Sequence, residues 1–243
     1  EGIFIQDTPK GERKIAIEEV LDLNLFGTSE AREQLAQMAI QAQDPRVEES
    51  IRKQFHDLTA VQFEKEIARD PNNVRTLTFA ASFFARFGEY DKALSLYMKA
   101  ITLSPTRQSI YVELSGMYIA MSDFTSAMAT AKTGYELEVS NTEAAITYAA
   151  TLIYAKDFPR AEMILVPFAN TPTVYDARIV NAYTNTKQFE KGIALVNEKI
   201  AKGFATGRDY FTLGNIYLTM GNKNSAISSL EKGMSLDASL KEQ

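Results

Sequence analysis

The stretch Phe87-Gly-Glu-Tyr-Asp-Lys-Ala93, which continues to Leu103-Ser-Pro105, decides the fold of this chain. Two helices that cross closely need small residues at the crossing, aromatic residues that fill the space between them, and a helix breaker at the end. The residues that meet these requirements are Gly88, Tyr90, Ala93, Tyr97, Ala100 and Pro105. The stretch therefore predicts the turn and the second helix of an α-helical hairpin.

The same register recurs along the rest of the chain. Counted from Val74 as the first position, the later copies begin at Gln108, Thr142, Thr173 and Gly207, so that successive starts lie 34, 34, 31 and 34 residues apart. A lone hairpin cannot bury the apolar stripes of both its amphipathic helices, and stacked hairpins can. A small residue stands at the predicted helix crossing of every copy: Ala93, Ala127, Ala161, Gly192 and Ala226.

This register resembles that of tetratricopeptide (TPR) repeats. The resemblance implies an all-α fold, an α-α superhelix in which about five TPR hairpins over residues 74–243 stack as one solenoid. It also implies a concave face lined by the first helix of each pair. We interpret the repeated aromatic residues as packing positions and not as a cofactor site.

Residues 1–73 are less regular and predict an extended leader followed by an irregular helical cap. The leader covers residues 1–10, and a first helix is expected over residues 14–25, before Gly27. Thr28 or Ser29 is a suitable cap for a second helix that reaches about Gln43. A third helix is expected from Asp44-Pro45 to Asp70. Such a cap would cover the apolar end of the repeat array.

Composition excludes several classes of function. A net charge of -5 without a basic stripe argues against nucleic-acid binding. The chain has no cysteine, so disulfides, thiolate metal sites and cysteine nucleophiles are excluded. No apolar run approaches the roughly 18 residues of a membrane span. His56 is the single histidine, and we expect it to be structural or solvent-exposed and not a general base. We therefore expect no catalytic residue, no metal and no cofactor.

The predicted binding surface is the concave face. In TPRs that bind peptides, fixed positions of the first helix point into the groove. An anion site similar to the carboxylate clamp of some TPRs is a further possibility in the last two copies, although the clamp lysine is missing there; an ordinary solvated groove is the default expectation. The groove residues that we nominate are Arg75, Arg86, Tyr154, Arg178, Asn181, Asn185, Arg208, Phe211 and Asn215.

Three segments resemble a narrower group, the C-terminal TPR tails of bacterial O-antigen ligase and polymerase family membrane proteins. The segments are Asn24-Leu-Phe-Gly-Thr-Ser-Glu-Ala-Arg-Glu-Gln-Leu35, Tyr175-Asp-Ala-Arg-Ile-Val-Asn-Ala-Tyr183 and Leu236-Asp-Ala-Ser-Leu-Lys-Glu-Gln243. The resemblance implies a soluble extracytoplasmic tail of a membrane glycan enzyme, and the start at Glu1 fits a piece of a longer protein. Without that resemblance, a cytoplasmic location is expected.

Three functions remain open at this point. The first is a non-catalytic scaffold that binds a protein or peptide in the groove. The second is self-association through exposed end helices, which would give a homodimer. The third is a glycan-contacting accessory domain of an enzyme, for which Tyr154 and Phe211 are the only groove aromatics.

Overall fold

The computed structural model describes residues 29–44, 47–169 and 171–237. The regular secondary structure of these residues is entirely helical, which confirms the prediction of an all-α repeat fold. The leader over residues 1–10, the helix over residues 14–25 and the cap at Thr28 lie outside the described residues, as does most of the closing segment, from residue 238 to 243. No helix in the described ranges is both long and apolar enough to cross a membrane.

The chain divides into two compact units between Ile110 and Tyr111. The predicted boundary between a cap and the repeats, at residues 73 and 74, stays a prediction. We number the α-helices in chain order. They are α1 (Ser29–Gln41), α2 (Glu49–Arg69), α3 (Val74–Arg86), α4 (Tyr90–Leu103), α5 (Gln108–Ala120), α6 (Phe124–Leu137), α7 (Thr142–Tyr154), α8 (Phe158–Leu165), α9 (Ala177–Asn185), α10 (Phe189–Ala201), α11 (Gly207–Thr219) and α12 (Lys223–Leu236).

Side-chain caps explain where many of these helices begin. The side chain of Asn141 accepts a hydrogen bond from the Ala144 backbone N–H at the start of α7, and Asn73 does the same for Thr76 at the start of α3. Such a bond satisfies one of the backbone N–H groups that a helix leaves free at its N-terminus. The other side-chain caps of this kind belong to Asp123, Asp157, Asp176 and Asn222.

The core of the first unit is formed by aromatic side chains in mutual contact. Phe83 of α3 is almost fully buried, and its ring contacts those of Phe63, Phe84 and Phe87 at centroid distances of 5.6, 5.2 and 4.7 Å. His56 of α2 stacks on Phe83 with the centroids 5.5 Å apart. Aromatic pairs of this geometry add stabilisation beyond the apolar area that they bury.

The second unit is built around α7. Ten consecutive residues of this helix, from Ala144 to Ile153, are buried, so α7 is covered on every side. It packs against α6, α8 and α9. The small residues Ala127, Ala161 and Ala226 at the predicted helix crossings are fully buried, as the register requires.

The connection from α8 to α9 departs from the other hairpins. Helix α8 has only eight residues, and two 3₁₀ turns follow it, Val166–Phe168 and Pro172–Tyr175. Pro167 and Pro172 lack a backbone N–H and cannot continue an α-helical ladder. Helix α9 therefore begins at Ala177, where Asp176 caps it, and the predicted start of the fourth copy at Thr173 falls in a 3₁₀ turn.

Candidate functional site

The nine nominated groove residues are distributed over both compact units. Arg75 and Arg86 belong to α3 in the first unit, and the remaining seven lie on α7, α9 and α11 in the second. The guanidinium of Arg75 lies 5.7 Å from the centroid of the Phe79 ring, and Arg86 is exposed in the last turn of α3. The second unit therefore holds the larger part of the predicted binding surface.

Arg178 is engaged with carboxylates of its own chain. Its Nε and Nη2 donate to the two carboxylate oxygens of Asp176 at 2.8 and 3.0 Å, and its Nη1 donates to Glu143 Oε2 of α7 at 2.7 Å. The hydrogen bonds to Asp176 are the main reason why the pKa of the Arg178 guanidinium is raised, although burial acts in the other direction. The contacts assign Arg178 the role of a bridge between α7 and the start of α9.

The Asp176 carboxylate belongs to the same bridge. Burial by itself raises the pKa of Asp176, but the hydrogen bonds from Arg178 and the guanidinium charge outweigh it and hold that pKa below its usual range. Asp176 Oδ1 also accepts the Arg178 backbone N–H at 2.9 Å. The same side chain therefore caps α9 and balances the charge of Arg178.

Three exposed polar side chains lie on the first helices α9 and α11. They are those of Asn181, Arg208 and Asn215. In the described part of the chain these three side chains have no hydrogen-bond or ion-pair partner. Phe211, nominated for the same face, lies against α12, because a Cβ placed on Gly233 would sit 2.6 Å from Phe211 Cδ2. We refer to Asn181, Arg208 and Asn215 as the polar row.

Tyr154 and Asn185, nominated separately, are brought together by the structure. Asn185 Nδ2 donates to Tyr154 Oη at 2.9 Å, which joins the ends of α7 and α9. The Tyr154 ring also stacks on Phe124, with the ring centroids 5.1 Å apart and the planes 3° from parallel. Tyr154 thus belongs to a small aromatic and amide cluster at the C-terminal ends of α7 and α9 and the start of α6.

This cluster forms part of an open cleft of about 640 Å³. The cleft is lined by the helix ends and turns of three successive hairpins, and we call it the turn cleft. Lys156 and Lys187 contribute its charge, and Phe124, Tyr154 and Asn185 contribute the cluster described above.

The turn cleft contains two residues that sequence reasoning missed. Lys156 and Lys187 occupy the repeat position at which the first and last copies carry Gly88 and Gly221. The alignment of the copies contained the signal, because a lysine stands where the first and last copies use glycine. The predicted groove positions lie on the first helices and do not include the turns.

His56 is engaged in structural contacts of the first unit. Its Nε2 lies 2.6 Å from Glu89 Oε1 and its Nδ1 lies 3.0 Å from Asp57 Oδ1. Within the described residues, no group of three or more histidine, aspartate or glutamate side chains is arranged to hold a metal ion. These contacts assign His56 to the packing between α2 and the turn before α4.

Comparison with known proteins identifies a repeat family in two parts of the chain. A tetratricopeptide repeat family model matches residues 74–107 and 210–240. No curated protein matches the chain.

Solved structures of low sequence identity share the fold. A TPR protein from Parabacteroides merdae has a TM-score of 0.61 at 15% identity over 96% of this chain and 88% of that chain. PilW, a type IV pilus biogenesis factor, has a TM-score of 0.55 at 13% identity over 86% and 94%. Cut9–Hcn1, an APC/C hetero-tetramer, has a TM-score of 0.54 at 15% identity over 96% of this chain and 46% of that chain. The chain therefore carries tetratricopeptide repeats, and its all-α fold is that of the tetratricopeptide helical-hairpin proteins.

Proposed function

We propose that this chain is a non-catalytic scaffold that binds a protein or peptide through the first helices of its second unit. The observation that carries the proposal is the polar row. Asn181, Arg208 and Asn215 are exposed and have no partner among the described residues, while Arg178 beside them is bound to Asp176 and Glu143. Amide and guanidinium groups that are free to donate suit the backbone carbonyls and carboxylates of a peptide.

The proposed binding of a peptide does not involve a catalysed reaction. Asparagine and arginine side chains bind and orient a ligand, and neither transfers a proton near neutral pH. The role of the row is therefore recognition, in which several hydrogen bonds fix one orientation of the bound chain. TPR hairpins are suited to this role because stacked repeats offer an extended surface on rigid helices.

The test starts from peptides selected for binding to the wild-type chain from a random decapeptide library. The triple variant Asn181→Ala, Arg208→Ala, Asn215→Ala should bind a selected peptide at least ~10-fold more weakly in titration calorimetry, about 1.4 kcal/mol. Its helical content by circular dichroism should stay that of the wild type. The matched control changes three exposed residues of α12, Lys223→Ala, Asn224→Ala and Ser228→Ala, and should bind as the wild type does. Unchanged affinity in the first variant would overturn the proposal.

The narrower resemblance extends the proposal to a cellular context. The chain would be the extracytoplasmic tail of an O-antigen ligase-like membrane protein and would recruit a partner to glycan assembly. The support is the resemblance of the quoted segments, of which Tyr175 to Tyr183 lies on the turn before α9 and on α9 itself. Reading the gene upstream of the codon for Glu1 tests this context, since the parent should encode several apolar stretches of about 20 residues.

A second function, self-association, is favoured by apolar side chains on the last hairpin. Ile227 and Leu236 of α12 are 54% and 53% exposed, and Leu218 of α11 is 50% exposed. Exposed apolar side chains of this size on one hairpin are suited to a homodimer contact. Light scattering over a range of protein concentrations distinguishes the two functions, because only self-association makes the molar mass rise with concentration.

A further inference from the structure

Three successive turns of the second unit use a left-handed backbone at a residue other than glycine. The φ angles are +60° at Ser122, +63° at Lys156 and +64° at Lys187. Gly88 and Gly221 occupy the same repeat position in the first and last hairpins, with φ angles of +79° and +77°. Glycine adopts this conformation freely, whereas a residue with a Cβ is disfavoured in it. A side chain at this position is therefore not needed to make the turn.

The side chains of these turns line the turn cleft. Its apolar part is the parallel stack of Phe124 and Tyr154, together with Ile119 and Ala120. A volume of about 640 Å³ lies within the range of about 300–1,000 Å³ typical of small-molecule sites. The cleft therefore has room for a few amino-acid residues and offers one of them an aromatic surface.

The charge of the cleft is positive. Lys156 and Lys187 line it and, among the residues that the structure describes, neither ammonium group is paired with a carboxylate. The acidic residues next to these turns have other partners. Asp123 accepts the Ser126 backbone N–H, and Asp157 accepts from the backbone and the guanidinium of Arg160. An unpaired ammonium attracts an anionic group of a ligand.

The cleft also offers two neutral donors. Tyr154 Oη accepts the hydrogen bond from Asn185 Nδ2, so its own O–H is left to donate. One of the two Asn185 amide protons is used in that bond, and the other is available to a ligand. A carboxylate accepts several hydrogen bonds at once and matches a set of donors of this kind.

We propose that the turn cleft is a second binding site, which takes a carboxylate side chain of an acidic peptide together with a neighbouring apolar residue. Lys156 and Lys187 hold the carboxylate, and the Phe124–Tyr154 stack receives the apolar residue. The inference rests on the proposed function only in that the ligand is a peptide. A free phosphate ion would satisfy the lysines but leave the aromatic surface unused.

The probe is the peptide Ac-Glu-Phe-Glu-NH₂, titrated into the ¹⁵N-labelled chain and followed by NMR. The backbone amide signals of Ser122, Lys156 and Lys187 should shift. The neutral peptide Ac-Gln-Phe-Gln-NH₂, which lacks the charge, and inorganic phosphate, which lacks the apolar residue, should each bind at least ~10-fold more weakly than the probe. Equal binding of the acidic and neutral peptides, or shifts confined to other parts of the chain, would overturn the proposal.

The decisive variant is Lys156→Gly with Lys187→Gly, which removes both charges and leaves turns of the kind that Gly221 makes. It should keep its helical content, melt at the same or a higher temperature, and bind the probe at least ~10-fold more weakly. The control Lys223→Gln with Lys232→Gln removes two exposed lysines of α12 and should bind the probe as the wild type does. Equal weakening by the control variant would contradict the proposal, because a general charge effect would then explain the loss.

These experiments test the polar row and the turn cleft independently. The polar-row triple variant keeps the turn cleft, so it should still bind Ac-Glu-Phe-Glu-NH₂. Retained binding of the probe by the double glycine variant would overturn the second site alone, while the decapeptide titrations decide the polar row independently.

Discussion

Helices α3 and α7 have the same length and the same repeat position, yet they are packed by different means. Both have 13 residues. Helix α3 depends on Phe83 and its ring contacts, whereas α7 is buried through ten successive residues of which four are alanine. Large rings fill the space around one helix, and small residues let the neighbours of the other approach its backbone closely. The comparison shows that one repeat register accommodates two kinds of core.

The two helices also differ in the polar contacts at their sides. Near α3, His56 reaches Glu89 in the turn that follows the helix. Near α7, Arg178 reaches Glu143 in the first turn of the helix and Asp176 in the connection before α9. The first contact is one short hydrogen bond combined with ring stacking, and the second is a network of charges. Substitutions should therefore affect the two regions in different ways.

The largest effect should come from Phe83→Ala. The variant removes a buried ring with three aromatic neighbours in addition to His56, and we expect the free energy of unfolding of the first unit to fall by about 3–5 kcal/mol. The measurement is the midpoint of urea unfolding followed by circular dichroism. The control is Phe79→Ala on the same helix, which is 38% exposed and should lower the stability by about 0.5 kcal/mol. Equal shifts in the two variants would show that the ring cluster is not what holds α3.

A smaller effect is expected for the opposite change in α7. Ala149 is fully buried, so Ala149→Leu adds three carbon atoms where the neighbouring helices leave no room, and we expect a loss of about 1–3 kcal/mol. Ala129→Leu, at an exposed position of α6, is the matched control and should leave the unfolding midpoint nearly unchanged. If α7 accepts the leucine without loss, small residues are not what sets its packing.

The smallest effect should follow Asp176→Asn. Asparagine still caps α9, so the substitution removes the charge of the Arg178 bridge and keeps the backbone hydrogen bond. We expect a loss of about 1 kcal/mol at pH 7, because the pair is partly exposed to solvent. The control is Asp91→Asn, at an exposed position of α4.

The effect of Asp176→Asn should also depend on pH. The pKa of Asp176 is lowered in the folded chain, so its stabilisation is fully present above the unfolded value of about 3.9 and is lost as the pH falls through the lower folded value. The unfolding midpoints of wild type and variant should therefore differ at pH 7 and converge towards pH 2. A difference that persists at the acidic end would contradict the charge-based explanation.

The sequence predicted the repeat fold because the packing positions carry a recognisable residue type. Ala93, Ala127 and Ala161 stand 34 residues apart and are all fully buried. The short α8 was not predicted. The 31-residue step shows that one copy is shorter, but it does not show which of its helices is shortened. The position of Pro167 and Pro172 determines that α8 is the short helix.

The candidate site was less predictable than the fold. The register places Arg178 on the groove side, but it does not show that Glu143, 35 positions earlier, would bind the guanidinium. Tyr154 and Asn185 were nominated one by one, and their hydrogen bond depends on how α7 and α9 pack. Lys156 and Lys187 were overlooked because a turn lysine is ordinarily assigned to the solvent.

The break after α8 has a consequence for how this array can change in length. In an uninterrupted helix, an inserted residue rotates everything that follows by about 100°, since a turn takes about 3.6 residues. Between Leu165 and Ala177 the α-helical ladder is interrupted, and Asp176 starts the next helix afresh. Residues gained or lost here do not change the phase of α9 against its neighbours. The orientation of α9 about its axis therefore does not depend on the length of this connection. Repeats of unequal length can be joined here while their helices keep the same packing faces.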